Sequence, residues 1–156
     1  MSKILFVCLG NICRSPLAEG IAKNIIQKKG LNFTIDSAGI SSFHEGETPC
    51  KDSIKIAKMH NIDISKLRAR QVRRTDKDIY DHIIAMDAKN KKVLETMRFE
   101  NVHLLGDFAN YEGADVPDPY FFDTFDESIQ NVYTMIEVCV EDLIDILEEA
   151  TKENNE

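Results

Sequence analysis

Cys8 and Arg14 stand six positions apart in Val7-Cys8-Leu9-Gly10-Asn11-Ile12-Cys13-Arg14-Ser15-Pro16, directly behind the apolar run Ile4 to Val7. This spacing puts a nucleophile and an anion clamp on one short loop. A guanidinium fork holds two oxygens of a phosphate at once, and a thiolate attacks electrophilic centres. Ser15 is the expected N-cap of the following helix, Pro16 suits its first position, and Glu19 lies early enough to favour the positive helix end. Gly10 and Asn11 are the residue types that tolerate positive φ in a sharp turn. Such a turn aims successive N–H groups at one centre, which together with the helix N-terminus favours a dianion and the thiolate form of Cys8. A phosphate gripped over that sulfur is placed for in-line attack on phosphorus.

The elements that must position this loop alternate along the chain. Ile4 to Val7 reads as a buried strand, and Leu17, Ala18, Ile21, Ala22, Ile25 and Ile26 form the apolar stripe of the helix behind it, stopped at Gly30. Asn32 to Ser37 reads as a second strand. Thr48-Pro49 opens a second helix, Thr75 to Asp78 resembles a capping box, and His82 to Met86 forms a third strand. Asp87 caps a helix with Val93, Leu94 and Met97 on its apolar face, and Val102 to Leu105 is a fourth strand. Thr124 to Glu127 is a full capping box for a long final helix, striped from Phe125 to Leu147 and carrying Cys139. The alternation predicts a single-domain α/β fold with a doubly wound four-stranded parallel sheet and helices on both faces, over residues 1–150, and a frayed tail over 151–156. In such sheets ligands bind beyond the carboxyl ends of the strands, where Cys8 stands.

At 156 residues, 43% hydrophobic and 29% charged, the chain fits one ordinary domain, and its formal charge of -8 disfavours nucleic acid as a partner. Neither a secretory signal nor a membrane span is legible, so the expected location is cytoplasmic. Cysteines 8, 13, 50 and 139 are too scattered for a disulfide scaffold and are expected as thiols. Cys8-x4-Cys13 lacks the second pair or histidine cluster of a zinc site, so no metal and no cofactor is expected. Cys50, near a helix start, reads as structural, with a mildly reactive thiol as the alternative, and His44 as a solvated loop histidine. His82, at a strand edge, reads as satisfied by structure rather than catalytic. Arg68, Arg70, Arg73 and Arg74 read as a solvated face or as local attraction for acidic peptides. Cys13, five positions from Cys8, is a candidate to resolve a sulfenic acid there as a Cys8–Cys13 disulfide, with a loop-packing thiol as the alternative.

Cys-x5-Arg-Ser is the phosphate-binding signature of protein tyrosine phosphatases, and its place within the first fifteen residues resembles the low-molecular-weight tyrosine phosphatase family. Ser37-Ala38-Gly39, Ala69-Arg70-Gln71, Met86-Asp87 and Asp118-Pro119-Tyr120 extend the likeness over nearly the whole chain. The resemblance implies strand order 2-1-3-4 and a phosphate-binding loop of Leu9, Gly10, Asn11, Ile12, Cys13, Arg14 and Ser15. It also implies that Ser37 supports that loop, with a turn serine as the alternative. Phe43 and Tyr120 would wall the cleft, although Phe43 also reads as a core plug. Two prolines aim Asp118, the candidate proton donor to a leaving phenol. The implied activity is hydrolysis of phosphotyrosine and aryl phosphates through a cysteinyl phosphate, with Cys8, Arg14 and Asp118 as catalytic residues. Its partners would be phosphotyrosine proteins or peptides and inorganic phosphate or other oxyanions, acting as a monomer or weak dimer.

Two departures from the family pattern stand out: Leu67 where a histidine is common, and Phe121-Phe122 where glycine usually follows Asp-Pro-Tyr. Arsenate reductases of this fold need further cysteines near mid-chain, and none lies between Cys50 and Cys139. Protein arginine phosphatases carry a threonine where this loop has Ile12. An inactive phosphate-binding module is disfavoured by the intact Cys8, Arg14 and Asp118.

Overall fold

A computed structural model describes residues 2–119 and 125–154. The strand before the loop is β1, Lys3–Cys8, and Leu5, Phe6 and Val7 have no exposed surface. It lies between β2, Thr34–Gly39, and β3, His82–Ala85, with β4, Val102–Leu104, beyond β3. All pairs are parallel and the order is β2-β1-β3-β4, as the resemblance implied. Register sets Cys8 opposite Gly39 and Val7 opposite Ala85, so the carboxyl ends of three strands converge beside the loop.

Successive side chains of a strand face opposite sides, and β1 uses both. Ile4, Phe6 and Cys8 enter the larger core with α1 (Arg14–Lys29), α2 (Lys51–Met59) and α5 (Phe125–Asn154). Leu5 and Val7 enter a smaller core with Leu94 of α4 (Ala88–Thr96). A short helix, α3 (Asp76–Ile79), precedes β3. On α5 the stripe Ile129, Val132, Tyr133, Ile136, Cys139, Val140, Leu143 and Ile144 is buried, as its spacing requires. No helix among the described residues is long and apolar enough to cross a membrane.

Several boundaries differ from the sequence reading, each for a local reason. α1 begins at Arg14 with Cys13 at its N-cap, not at Ser15, because the Ser15 hydroxyl is drawn to the Cys8 sulfur. α2 begins at Lys51 rather than at Thr48-Pro49. The Cys50 N–H is committed to the Ile12 carbonyl (2.7 Å), so the chain is still extended at Cys50 (φ -60°, ψ 149°). Thr75 makes no capping bond; the buried Asp76 carboxylate accepts the Arg73 N–H at 2.8 Å instead. β2 starts at Thr34, two residues later than expected, and β4 ends at Leu104 in a 3-10 turn. Asp87 caps α4 as read, accepting the Asn90 N–H at 2.8 Å. The stretch expected to fray is helical as far as Asn154, with Thr151 donating to the Leu147 carbonyl. Tyr120, Phe121-Phe122 and the Thr124 box lie outside the described residues.

Candidate active site

β1 delivers Cys8 to the floor of a cavity of about 370 Å³, lined by Leu9, Gly10, Ile12, Cys13, Arg14, Ser41, Phe43, His44 and Asp118. The turn between β1 and α1 depends on Asn11, whose φ of 57° is left-handed. Gly10 has no positive φ, against expectation. It is small because a Cβ there would stand 3.0 Å from the His44 ring. Gly39 serves the same loop from below, since a Cβ on it would stand 3.0 Å from the Asn11 nitrogen.

The donors around Cys8 form an ordered chain. Asn11 N–H donates to Sγ at 3.2 Å, and Ser15 Oγ lies 3.0 Å from it. Asn11 Nδ2 donates to Ser15 Oγ at 2.7 Å, so the hydroxyl proton is left to point at sulfur in preference to the Ala38 carbonyl, 3.5 Å away. Nδ2 also donates to Ser37 Oγ (2.9 Å), which donates to Glu19 Oε1 (2.6 Å); the other carboxylate oxygen meets Lys23 Nζ at 2.5 Å. Asn11 Oδ1 accepts the Arg70 N–H at 3.0 Å. Two donors are thus aimed at one buried sulfur.

Arg14 is 3% exposed and fixed from two sides. Nη1 donates to Asp87 Oδ2 (2.8 Å) and the Val116 carbonyl (2.9 Å), and Nη2 lies 3.6 Å from Asp118 Oδ2. Burial works against its charge, but Cys8, Asp87 and Asp118 outweigh it and hold the guanidinium above its ordinary range. Phe43 is 83% exposed at the rim, which rules out a core plug.

The structure thus brings Cys8, Arg14 and Asp118 together, with Ser37 two bonds from the sulfur through Asn11. His44 is not a solvated loop histidine: it lines the cavity, meets Phe43 edge-on at 4.8 Å and pairs with Glu47. The pair His44-x2-Glu47 was its sequence signal. Arg70 is neither a solvated face nor a peptide attractant, being clamped by Asp36 and Asp76, which together push its guanidinium up against the cost of burial. Glu19 does not serve the helix end; it closes the hydrogen-bond chain. Leu67 packs against the core, and Lys23 supplies the charge beside Glu19.

Sequence reasoning also missed Asp87 as the anchor of Arg14, Ser41 as cavity lining, and a thiol pair. Cys50 is not merely structural, since its backbone N–H is bonded to the phosphate loop at Ile12 and its thiol and that of Cys13 shift each other's titration. Ser53 Oγ donates to the Cys13 carbonyl at 3.0 Å and lies 3.1 Å from Cys50 Sγ. The Cys13 bond pushes Cys50 down to about 7, while the same bond and burial push Cys13 up.

The profile of the low molecular weight phosphotyrosine protein phosphatase family matches residues 3–155. The low molecular weight protein-tyrosine-phosphatase YfkJ of Bacillus subtilis is 43% identical over 141 residues, which cover 86% of this chain and 90% of the relative. A crystal structure of a protein tyrosine phosphatase from Entamoeba histolytica, with Hepes in its active site, superposes with TM-score 0.89 at 34% identity and covers 97% of this chain and 99% of that one. The Drosophila arginine phosphatase DARP superposes with TM-score 0.87 at 30% identity, covering 93% and 97%. The chain belongs to the low molecular weight phosphotyrosine protein phosphatase family, and is a phosphoric monoester hydrolase.

Proposed function

We propose that the enzyme hydrolyses phosphotyrosine in proteins or peptides, and aryl phosphates generally, through a cysteinyl phosphate on Cys8. The observation that carries this is one cavity with the Cys8 sulfur at its floor, Arg14 and Asp118 3.6 Å apart beside it, and an exposed aromatic ring at its rim. The Cys8 thiolate attacks phosphorus, the bond to the aryl oxygen breaks, and Asp118 gives its proton to the departing phenolate. Arg14 and the loop amides hold the equatorial oxygens, whose charge spreads in the transition state. Asp118 then takes a proton from water as the water attacks phosphorus. Cys8 leaves as thiolate, accepting again from Asn11 and Ser15, and inorganic phosphate is released.

Cys8→Ser abolishes turnover in this reading, and Asp118→Ala slows it most for substrates with poor leaving groups. Equal losses across leaving groups would remove Asp118 from the acid role. Phosphoarginine is the second reading, favoured by the likeness to DARP. The apolar Ile12 in the cavity and Phe43 at its rim suit an aromatic ring better. Faster turnover of a phosphoarginine peptide than of its phosphotyrosine counterpart would reverse that order.

A nucleophile that works as a free thiol suits a reducing compartment such as the cytoplasm. On oxidation, Cys13 is the partner proposed for Cys8. A Cys8–Cys13 disulfide would halt turnover until a thiol reduces it.

A further inference from the structure

Cys50 has no part in the reaction above, yet it stands against the loop that performs it. Its N–H donates to the Ile12 carbonyl at 2.7 Å, and its sulfur lies 3.1 Å from Ser53 Oγ. Cys13 is the N-cap of α1 and Cys50 the N-cap of α2. One further bond, from the Ser53 hydroxyl to the Cys13 carbonyl at 3.0 Å, holds the two caps together. Both thiols are partly exposed, whereas Cys8 is 3% exposed. Such a pair is placed to exchange with whatever disulfide Cys13 enters.

We propose that Cys50 ends a three-cysteine relay, in which an oxidising equivalent taken up by Cys8 passes to Cys13 and comes to rest as a Cys13–Cys50 disulfide, with Cys8 restored. This deepens, and rests on, the proposed Cys8–Cys13 disulfide. The oxidant is a peroxide. Cys8 thiolate attacks one peroxide oxygen, the O–O bond breaks, and the products are Cys8 sulfenic acid and hydroxide. Cys13 sulfur then attacks Cys8 sulfur, the S–O bond breaks, and the departing hydroxide leaves as water with the Cys13 proton. Cys50 thiolate attacks Cys13, the Cys8–Cys13 bond breaks, and Cys8 departs as thiolate. Peroxide has gained two electrons, and Cys13 and Cys50 have each lost one.

The last step runs forward for two reasons. Exchange is faster when the leaving sulfur is well stabilised as an anion, and Cys8 leaves into the donors Asn11 N–H and Ser15 hydroxyl. The attacking sulfur stands at the N-terminus of α2, where a bond from the Ser53 backbone N–H favours its thiolate. The consequence is an enzyme that gives up a peroxide equivalent without losing its nucleophile.

The test treats wild type, Cys50→Ser and Cys13→Ser with one equivalent of hydrogen peroxide, blocks free thiols, maps the linked peptides and assays each sample before and after dithiothreitol. Cys50→Ser keeps a partner for Ser53 and the backbone bond to Ile12, and Cys50 does not line the phosphate cavity. Wild type is expected to yield a Cys13–Cys50 peptide with Cys8 free and activity largely retained. Cys50→Ser is expected to stop at Cys8–Cys13, with activity down at least about tenfold until reduction. If wild type and Cys50→Ser both accumulate Cys8–Cys13 and lose activity equally, the relay falls while the Cys8–Cys13 reading stands. If Cys13→Ser is inactivated and rescued by thiol as wild type is, the Cys8–Cys13 reading falls, and the relay with it.

Discussion

Replacing Asn11 with alanine removes more of this site than its small size suggests. The side chain donates to Ser15 and Ser37 and accepts from Arg70, two buried bonds and one partly buried, and the residue holds φ 57°. At about 1 kcal/mol net per bond, and about 1 kcal/mol more for alanine in the left-handed region, Asn11→Ala loses about 4 kcal/mol of stability. For a chain of 156 residues that lowers Tm by about 8–16 °C. Asn11→Gly separates the contributions, because glycine accepts the backbone but replaces none of the bonds, so its loss is about 3 kcal/mol. Ser15 loses the donor that directs its proton to sulfur, so kcat falls in both variants. Urea unfolding with aryl phosphate kinetics reads both effects. A loss under about 1 kcal/mol in Asn11→Ala, or glycine matching wild type in stability and kcat, would refute the argument that this amide orders the donors around Cys8.

Other consequences follow from single contacts. Asp87→Asn keeps the cap on Asn90 but weakens a charged bond to Arg14, so kcat/KM for an aryl phosphate falls about 10- to 100-fold with little change in Tm. Phe43→Ala, at an 83% exposed position, leaves stability within about 0.5 kcal/mol and raises KM for aryl substrates several-fold, while inhibition by inorganic phosphate is unchanged. Alkylation of Cys50 rises with a midpoint near pH 7, since the Cys13 bond stabilises its thiolate, and Cys13→Ala moves that midpoint upward toward an ordinary thiol; no movement would deny the pairing.

The parts legible in sequence were those whose cause is local. Strand, turn, nucleophile and arginine lie within the first fourteen residues, and the strand order was implied by a resemblance spread along the chain. Ser15 was misread because Ser-Pro before a helix looks the same whether the hydroxyl caps the helix or faces a thiol. Glu19 and Ser37 meet only because α1 packs across β2, and the periodicity of either element carries no sign of it. Cys50 meets Cys13 through a backbone bond to Ile12 that also delays the start of α2, so one tertiary contact hid both the helix boundary and the thiol pair.

The loop aims two donors at the Cys8 sulfur and is shaped to hold a tetrahedral dianion above it, and iodoacetate tests both at once. Cys8 is expected to be carboxymethylated ahead of free cysteine, and inorganic phosphate to slow that reaction competitively. Alkylation at the rate of free cysteine, indifferent to phosphate, would contradict it.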